Sequence, residues 1–490
     1  MYDTSMYDKR QPPFYGRSAT ISTLQDHLDA VTHSGQGRIL AIHGRRQIGK
    51  STAVEQFVRH CEAPYVFTVA TQGAGVRTQL EDATLALTES LRPLPGADLT
   101  AELSVPGWRE WLRITEEAAR DHPIVVVLDE FPWAVEADPS LEGTLQNIWD
   151  RRLEKLPILL ILIGSDVAMM ESLNEHGRPL FGRVRPLVID PLNPAEIAQA
   201  IPDSSATDVF DAYLMTGGYP RLVTDLAHGG QSAIHYAHEA LRDPYSPLVS
   251  TARFTLDAEF PDSRAASRVL ASIGADETTT PRFNDLVASD LNATETARIQ
   301  TATTRALRVL TDEKLLVTME VPAWASNKGR LRRYRVTDPY LRFWFRYIGR
   351  DFEQISRGRS DLVISRLDRD WPSWRGRSIE PVVREALLRL AAHDDRLAAV
   401  EQVSAWWTRD GQKEFDVVAT SPDHTVLLGT IKWRPDGRVS RREIAALAEA
   451  RKLVPRSTDA RLAAVTPEST NAVDVDLSFN AADLLASWPQ

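Results

Sequence analysis

Cysteine is almost missing from this chain: 490 residues contain one, Cys61. An internal disulfide and a cysteine-based zinc cluster within one chain are thereby excluded, and a buried structural thiol in a reducing compartment is the expectation. Long apolar runs are missing too. No stretch approaches the length of a membrane span, and Met1–Arg10 lacks the apolar centre of a secretory signal, so the sequence reads as cytoplasmic with no membrane partner. Neither an internal repeat nor a low-complexity segment is evident. Positive charge is in deficit, the net being −10, which argues against wholesale coating of nucleic acid. The deficit is uneven: between Lys328 and Glu380 one lysine and 13 arginines face five aspartates and two glutamates, a local excess of seven positive charges. Such a stretch either faces phosphates or is a solvated, salt-bridged surface.

What is present is a phosphate-binding pattern. Gly44-Arg45-Arg46-Gln47-Ile48-Gly49-Lys50-Ser51, followed by Thr52, fits G-x-x-x-x-G-K-[ST] at every fixed position. The glycines let successive backbone N–H groups point at a triphosphate, the lysine reaches its outer phosphates, and the serine hydroxyl can hold Mg²⁺. The flanks agree. Arg38–His43 reads as a buried strand entering the loop and Ser51–His60 as the helix leaving it.

The length allows roughly three domains. Up to about residue 195, short apolar runs alternate with helical stretches, the pattern of a parallel sheet covered by helices. The strand candidates are Arg38–His43, Tyr65–Ala70, Ile124–Leu128, Ile158–Ile163 and Val184–Ile189. Pro194–Ala227 reads as helical, broken by the turn residues Gly217-Gly218-Tyr219-Pro220-Arg221. Then come three helices, Ala265–Ile273, Pro281–Ser289 and Thr294–Thr311, and two strands, Leu315–Pro322 and Leu331–Val336, joined through Ser326–Gly329. This is the order of a winged helix. Arg298, Arg305 and Arg308 fall on its third helix, where such modules read DNA, and Lys328, Arg330, Arg332 and Arg333 on its wing; packing alone is the alternative. The aromatic run Tyr340, Phe343, Trp344, Phe345 and Tyr347 is spaced for a buried helix, with base stacking as the alternative. From about Arg377 the order is helix, three strands, helix, strand.

Chemistry gathers at strand ends. Asp129-Glu130 follows the apolar run Ile124–Leu128, about eighty residues after the loop; there the aspartate can bind Mg²⁺ through its water shell and the glutamate can orient and deprotonate water. Ser165, after Ile158–Ile163, is a candidate γ-phosphate sensor or a helix cap. Arg183 either stabilises phosphoryl transfer, in its own subunit or a neighbouring one, or makes a structural salt bridge. Arg221 is placed to reach the nucleotide from a helical lid. A second constellation, Glu380, Asp416 and Lys432, has the residue types of a metal-dependent nuclease. The remaining position, two residues before the lysine, is Thr430, a poorer ligand than a carboxylate; a binding or structural domain is the alternative.

Taken together, Phe14-Tyr-Gly-Arg17, Gly44–Ser51, Leu128–Phe131, Gly164-Ser165 with Met169-Met170, Pro179–Arg183, Gly217–Arg221 and Asp338–Phe345 resemble the archaeal-type P-loop ATPases, relatives of AAA+ proteins and STAND switches. Glu380, Trp406-Trp407, Glu414-Phe-Asp416 and Gly429–Trp433 resemble the PD-(D/E)XK nuclease-like domain that ends that family's chains, with Thr430 standing where members commonly carry glutamate. The resemblance implies an α/β P-loop NTPase core (1–195) with a helical lid and linker (196–262). A winged helix (263–340), a basic helical connector (341–376) and an α+β restriction-endonuclease-like domain (377–490) follow. It implies ATP and Mg²⁺ as cofactors, and as partners DNA through the winged helix and connector, a protein, or a second copy of the chain. The expectation is an ATPase whose nucleotide state positions its C-terminal modules. The alternatives are an ATP-regulated DNA nuclease and a non-hydrolysing nucleotide switch that serves as a scaffold.

Overall fold

The computed structural model describes residues 13–100, 105–229, 232–260, 264–275, 286, 293–326, 331–434, 437–468 and 475–489. The chain divides into two compact units, residues 17–191 and residues 192–489 together with the segment ending at Gly16.

The first unit is built on five strands: β1 (Arg38–His43), β2 (Tyr65–Val69), β3 (Ile124–Asp129), β4 (Ile158–Ile163) and β5 (Val184–Val188). They pair in the order β2-β3-β4-β1-β5, every neighbour parallel. Each lies within a residue of its predicted span. β3 and β4 are buried along their whole length, as the unbroken Val, Ile and Leu runs require of strands covered on both faces. Helices Lys50–His60, Val76–Glu89, Trp108–Ala118 and Leu141–Arg151 supply the cover. Trp111 is wholly buried among Leu80, Ala83, Phe131 and Leu160, and its indole N–H donates to the Ala83 carbonyl at 3.0 Å. Cys61, at the end of Lys50–His60, is buried.

The second unit begins with a helical stretch, Pro194–Ala200, Ala206–Thr216 and Pro220–Gly229 among its helices. Gly217 and Gly218 both have positive φ, and a Cβ on Gly218 would lie 2.0 Å from the Leu192 carbonyl. Tyr219 then donates to Asp338 Oδ2 at 2.7 Å, and its ring meets Tyr340 edge-on at 5.4 Å. Two sequence marks 119 residues apart are thus halves of one contact. Helices Arg264–Ala275 and Ala293–Arg308 precede an antiparallel hairpin, β6 (Val317–Glu320) with β7 (Arg333–Val336). Apart from Leu286, the predicted helix Pro281–Ser289 lies outside the described residues, as do Lys328, Arg330 and, beyond Ser326, the predicted turn Ser326–Gly329. The aromatic run is core: Tyr340, Phe343 and Tyr347 have no exposed surface, and Trp371 and Trp374 pack against Phe343.

The last sheet holds β8 (Gln402–Trp407), β9 (Glu414–Thr420), β10 (Thr425–Ile431), β11 (Arg461–Val465) and β12 (Leu477–Phe479), in the order β12-β11-β10-β9-β8. β8, β9 and β10 are antiparallel, whereas β10, β11 and β12 are parallel. β12 and the helix Ala481–Leu485 are additions to the predicted order. No helix among the described residues is long and apolar enough to cross a membrane.

Candidate functional site

The phosphate loop joins β1 to the helix Lys50–His60, both laid down by the sequence as expected. Gly44 has φ 151° and packs so closely on the backbone that a Cβ would sit 2.2 Å from the Ile189 carbonyl. Gly49 caps the helix with φ 80°, a left-handed conformation natural to glycine. Gln47 also has positive φ. Lys50, 5% exposed, donates to the Gly44 carbonyl at 2.9 Å and the Arg45 carbonyl at 2.8 Å, so its ammonium spans the loop. Arg46 is half-buried, and Thr52 is exposed on the first helical turn.

Strand order explains how distant residues converge. β4 lies between β1 and β3, so the segment after β4 emerges between the phosphate loop and Asp129-Glu130. Asp129 is buried; burial pushes its carboxyl up, while hydrogen bonds from the Ser51 side chain and the Glu130 backbone oppose the shift. The bond from Glu130 N to Asp129 Oδ1 is 2.9 Å. Ser51 and Asp129, the two residues expected at Mg²⁺, therefore meet. Glu130 holds φ 51°, ψ 41° before the helix Phe131–Ala137, a left-handed conformation that costs a side-chain-bearing residue about 1 kcal/mol. Its Oε1 accepts from Ser165 Oγ at 2.9 Å. The cap of the following helix Val167–Ser172 is Asp166, not Ser165. A Cβ on Gly164 would lie 2.6 Å from Met170, which accounts for the glycine before the serine.

ATP and Mg²⁺ fit this residue set: a cradle too tight for a side chain at Gly44, a lysine poised across it, and a serine–aspartate pair at its rim. Bound there, ATP would supply the reactive phosphoanhydride and Mg²⁺ would neutralise its charge.

Arg183 makes a two-pronged ion pair with Asp150, at 2.5 and 2.7 Å, and donates to the Phe181 carbonyl at 2.9 Å. The guanidinium in turn holds the Asp150 carboxyl below the usual range. Arg221 belongs to the second unit and is exposed at the start of Pro220–Gly229. A residue to which sequence reasoning gives no role also enters the site: Arg17 donates to Ile48 and Asp190 carbonyls. Its signals are its position, directly after a glycine and before the first helix, and its place in the Phe14–Arg17 mark of the family resemblance.

The second constellation closes on itself. Asp416 Oδ2 accepts from the Thr430 hydroxyl at 3.0 Å and from Ile431 N at 2.8 Å. Burial pushes Glu380 up to about 8, with Asp416 adding to the shift and Arg384 opposing it. Arg384 lies 3.7 Å from Glu380, donates to the Asp416 carbonyl at 3.0 Å, and reaches Glu320 at 3.4 Å. Lys432 lies 3.8 Å from Glu443. Among the described residues no group of three or more His, Cys, Asp or Glu is placed to hold a metal ion.

Hairpin and final sheet are fastened together. Arg333 pairs with Glu414 at 2.7 Å and lies over the Trp407 ring at 4.2 Å; Arg335 pairs with Glu320 at 2.8 Å; Ala323 N donates to the Ala405 carbonyl at 2.9 Å. Arg333, expected on a DNA-facing wing, is 7% exposed. The connector arginines are partly spent as well, Arg346 on Asp370 and Arg375 on Asp211 at 2.5 and 2.6 Å. Arg298, Arg305 and Arg308 stay exposed on Ala293–Arg308.

Comparison with known proteins gives a consistent picture of parts. Residues 13–161 match the AAA ATPase domain family, and residues 344–446 match a family described as archaeal and bacterial proteins of unknown function. An uncharacterized protein of Methanocaldococcus jannaschii is 22% identical over 427 residues, 86% of this chain and 88% of that protein. Among solved structures, a Walker-type ATPase of Pyrococcus abyssi superposes with a TM-score of 0.45 at 14% identity, covering 68% of this chain and 96% of its own. The ORC2 protein of Aeropyrum pernix, in ADPNP–ADP complexes, gives 0.41 at 14% identity, covering 74% and 98%.

Proposed function

We propose that this chain is a Mg²⁺-dependent ATPase whose nucleotide state positions modules that bind DNA or a protein. The observation that carries the hydrolytic part is the Ser165–Glu130 bond beside the phosphate loop, with Glu130 kept in an unfavourable backbone conformation. A carboxylate held so is oriented for a task, since a relaxed turn would place a glycine there. In this reading Lys50 and the loop N–H groups of Gly44–Ser51 bind the phosphates, and Ser51 and Asp129 hold Mg²⁺. Glu130 accepts the proton of the attacking water, and Ser165 aims its carboxylate. Arg183 contributes to phosphoryl transfer only after leaving Asp150.

DNA is the partner that the exposed Arg298, Arg305 and Arg308 favour. They share one helix with several threonines and a single acidic residue, Glu295, a surface suited to phosphates. The C-terminal sheet serves this reading as a docking module, its Glu380 and Asp416 engaged by Arg384 and Thr430.

The test separates binding from turnover. Lys50→Ala is expected to abolish nucleotide binding, whereas Glu130→Gln is expected to bind ATP and lose turnover by about 10²- to 10⁴-fold. Hydrolysis by Glu130→Gln at the parental rate would remove its assigned role.

A further inference from the structure

The chain enters the phosphate-loop unit at Arg17 and leaves it at Pro191, and one side chain serves both the loop and the exit. Arg17 is 4% exposed, with φ 66°, a conformation unfavourable for a residue bearing a Cβ. Its Nη1 donates to the Asp190 carbonyl at 2.5 Å and its Nη2 to the Ile48 carbonyl, inside the loop, at 2.7 Å. Two further contacts hold the same segment. Ile189 N donates to the His43 carbonyl at 2.9 Å, just ahead of the loop. Gly44 packs on the Ile189 carbonyl with no room for a Cβ, and the Ile48 side chain lies against Gly44. Residues 189–190 are thus fastened to the loop by a ladder bond, a backbone approach and a buried guanidinium. Of these three, the guanidinium is the side-chain bridge that a substitution can remove.

We propose that Arg17 is a positioning residue that ties the conformation of the phosphate loop to Ile189–Pro191, so that loading of the loop is felt where the chain leaves the unit. The inference rests on the nucleotide reading above. Nucleotide N–H contacts are made by the loop backbone, and a shift of the Ile48 peptide on loading moves the acceptor of one Arg17 bond while the other bond holds Asp190. Charge-assisted bonds of this kind, buried, are stiff enough to carry such a displacement.

Hydrogen exchange on the full chain, with and without Mg²⁺ and a non-hydrolysable ATP analogue, tests it. In the parent protein the analogue is expected to slow exchange both at residues 44–52 and at 187–193. In Arg17→Gln the slowing at 44–52 persists and that at 187–193 disappears, exchange there running about tenfold faster than in the parent, as removal of one charge-assisted bond predicts. Arg17→Lys, whose ammonium can still donate to carbonyls, recovers part of the response; it also serves as the folded variant if the glutamine substitution destabilises the unit. A merely structural role for Arg17 would speed exchange across the whole unit and leave the ligand response at 187–193 intact. That result overturns the inference, as does a parent that responds at 44–52 alone. No response at 44–52 in the parent overturns the nucleotide reading and this inference with it.

Discussion

Glu130 carries two demands that pull apart. Its backbone sits in the left-handed region, where glycine is at ease, yet its carboxylate is bonded to Ser165. Glu130→Gly is therefore expected to raise thermal stability slightly, by less than about 1 kcal/mol, while removing turnover; calorimetry and a phosphate-release assay on one preparation check both. Ser165→Ala leaves Glu130 without its orienting donor. We expect kcat to fall about tenfold with little change in KM for ATP, the worth of one hydrogen bond. A large rise in KM at constant kcat would instead assign Ser165 to binding. The placement of Gly44–Ser51 between a strand and a helix, and of Asp129-Glu130 at the end of a strand, was legible from pattern and spacing. Arg17 was visible only as the end of the Phe14–Arg17 mark, and its contacts were not, since its acceptors lie 31 and 173 residues away and backbone carbonyls leave no trace in sequence.

Among elements, the hairpin β6–β7 departs most from expectation. Its strands lie where the sequence placed them, but the arginines of β7 are turned to the final sheet and to β6: Arg333 to Glu414 and Trp407, Arg335 to Glu320. A pairing across 81 residues is set by tertiary packing, and no periodicity reports it. Burial alone would raise the Glu320 carboxyl, but Arg335 and Arg384 hold it down to about 2. Because the folded value lies below the unfolded one, the contribution is fully present above about pH 4.5 and is lost as pH falls towards 2, amounting at most to about 3 kcal/mol. Glu320→Gln should accordingly lower stability at pH 7 and flatten its decline between pH 5 and 2, read from denaturant midpoints at each pH. An unchanged acid limb would mean that the pair contributes nothing. β3 and β4 were legible because strands buried on both faces must be apolar throughout; β12, three residues long, is too short to carry a pattern.

For the molecule as a whole, a net charge of −10 means that any association with DNA must be local. If Arg298, Arg305 and Arg308 make that contact, replacing all three by alanine should weaken binding and reduce the slope of log K against log salt by up to about 0.9 for each phosphate no longer neutralised. Titrations at several salt concentrations, with and without ATP, measure this, and an unaltered slope would exclude the helix. The order β2-β3-β4-β1-β5 has a consequence for biosynthesis. β1 is finished at residue 43, but both of its neighbours, β4 and β5, come after residue 157. While the ribosome makes the intervening segment, the apolar strand that will become an interior strand of the sheet has two open edges, and such edges invite aggregation. Nascent chains stopped before Ile158 should need chaperone protection, and chains extended past Val188 should become protease-resistant in a single step.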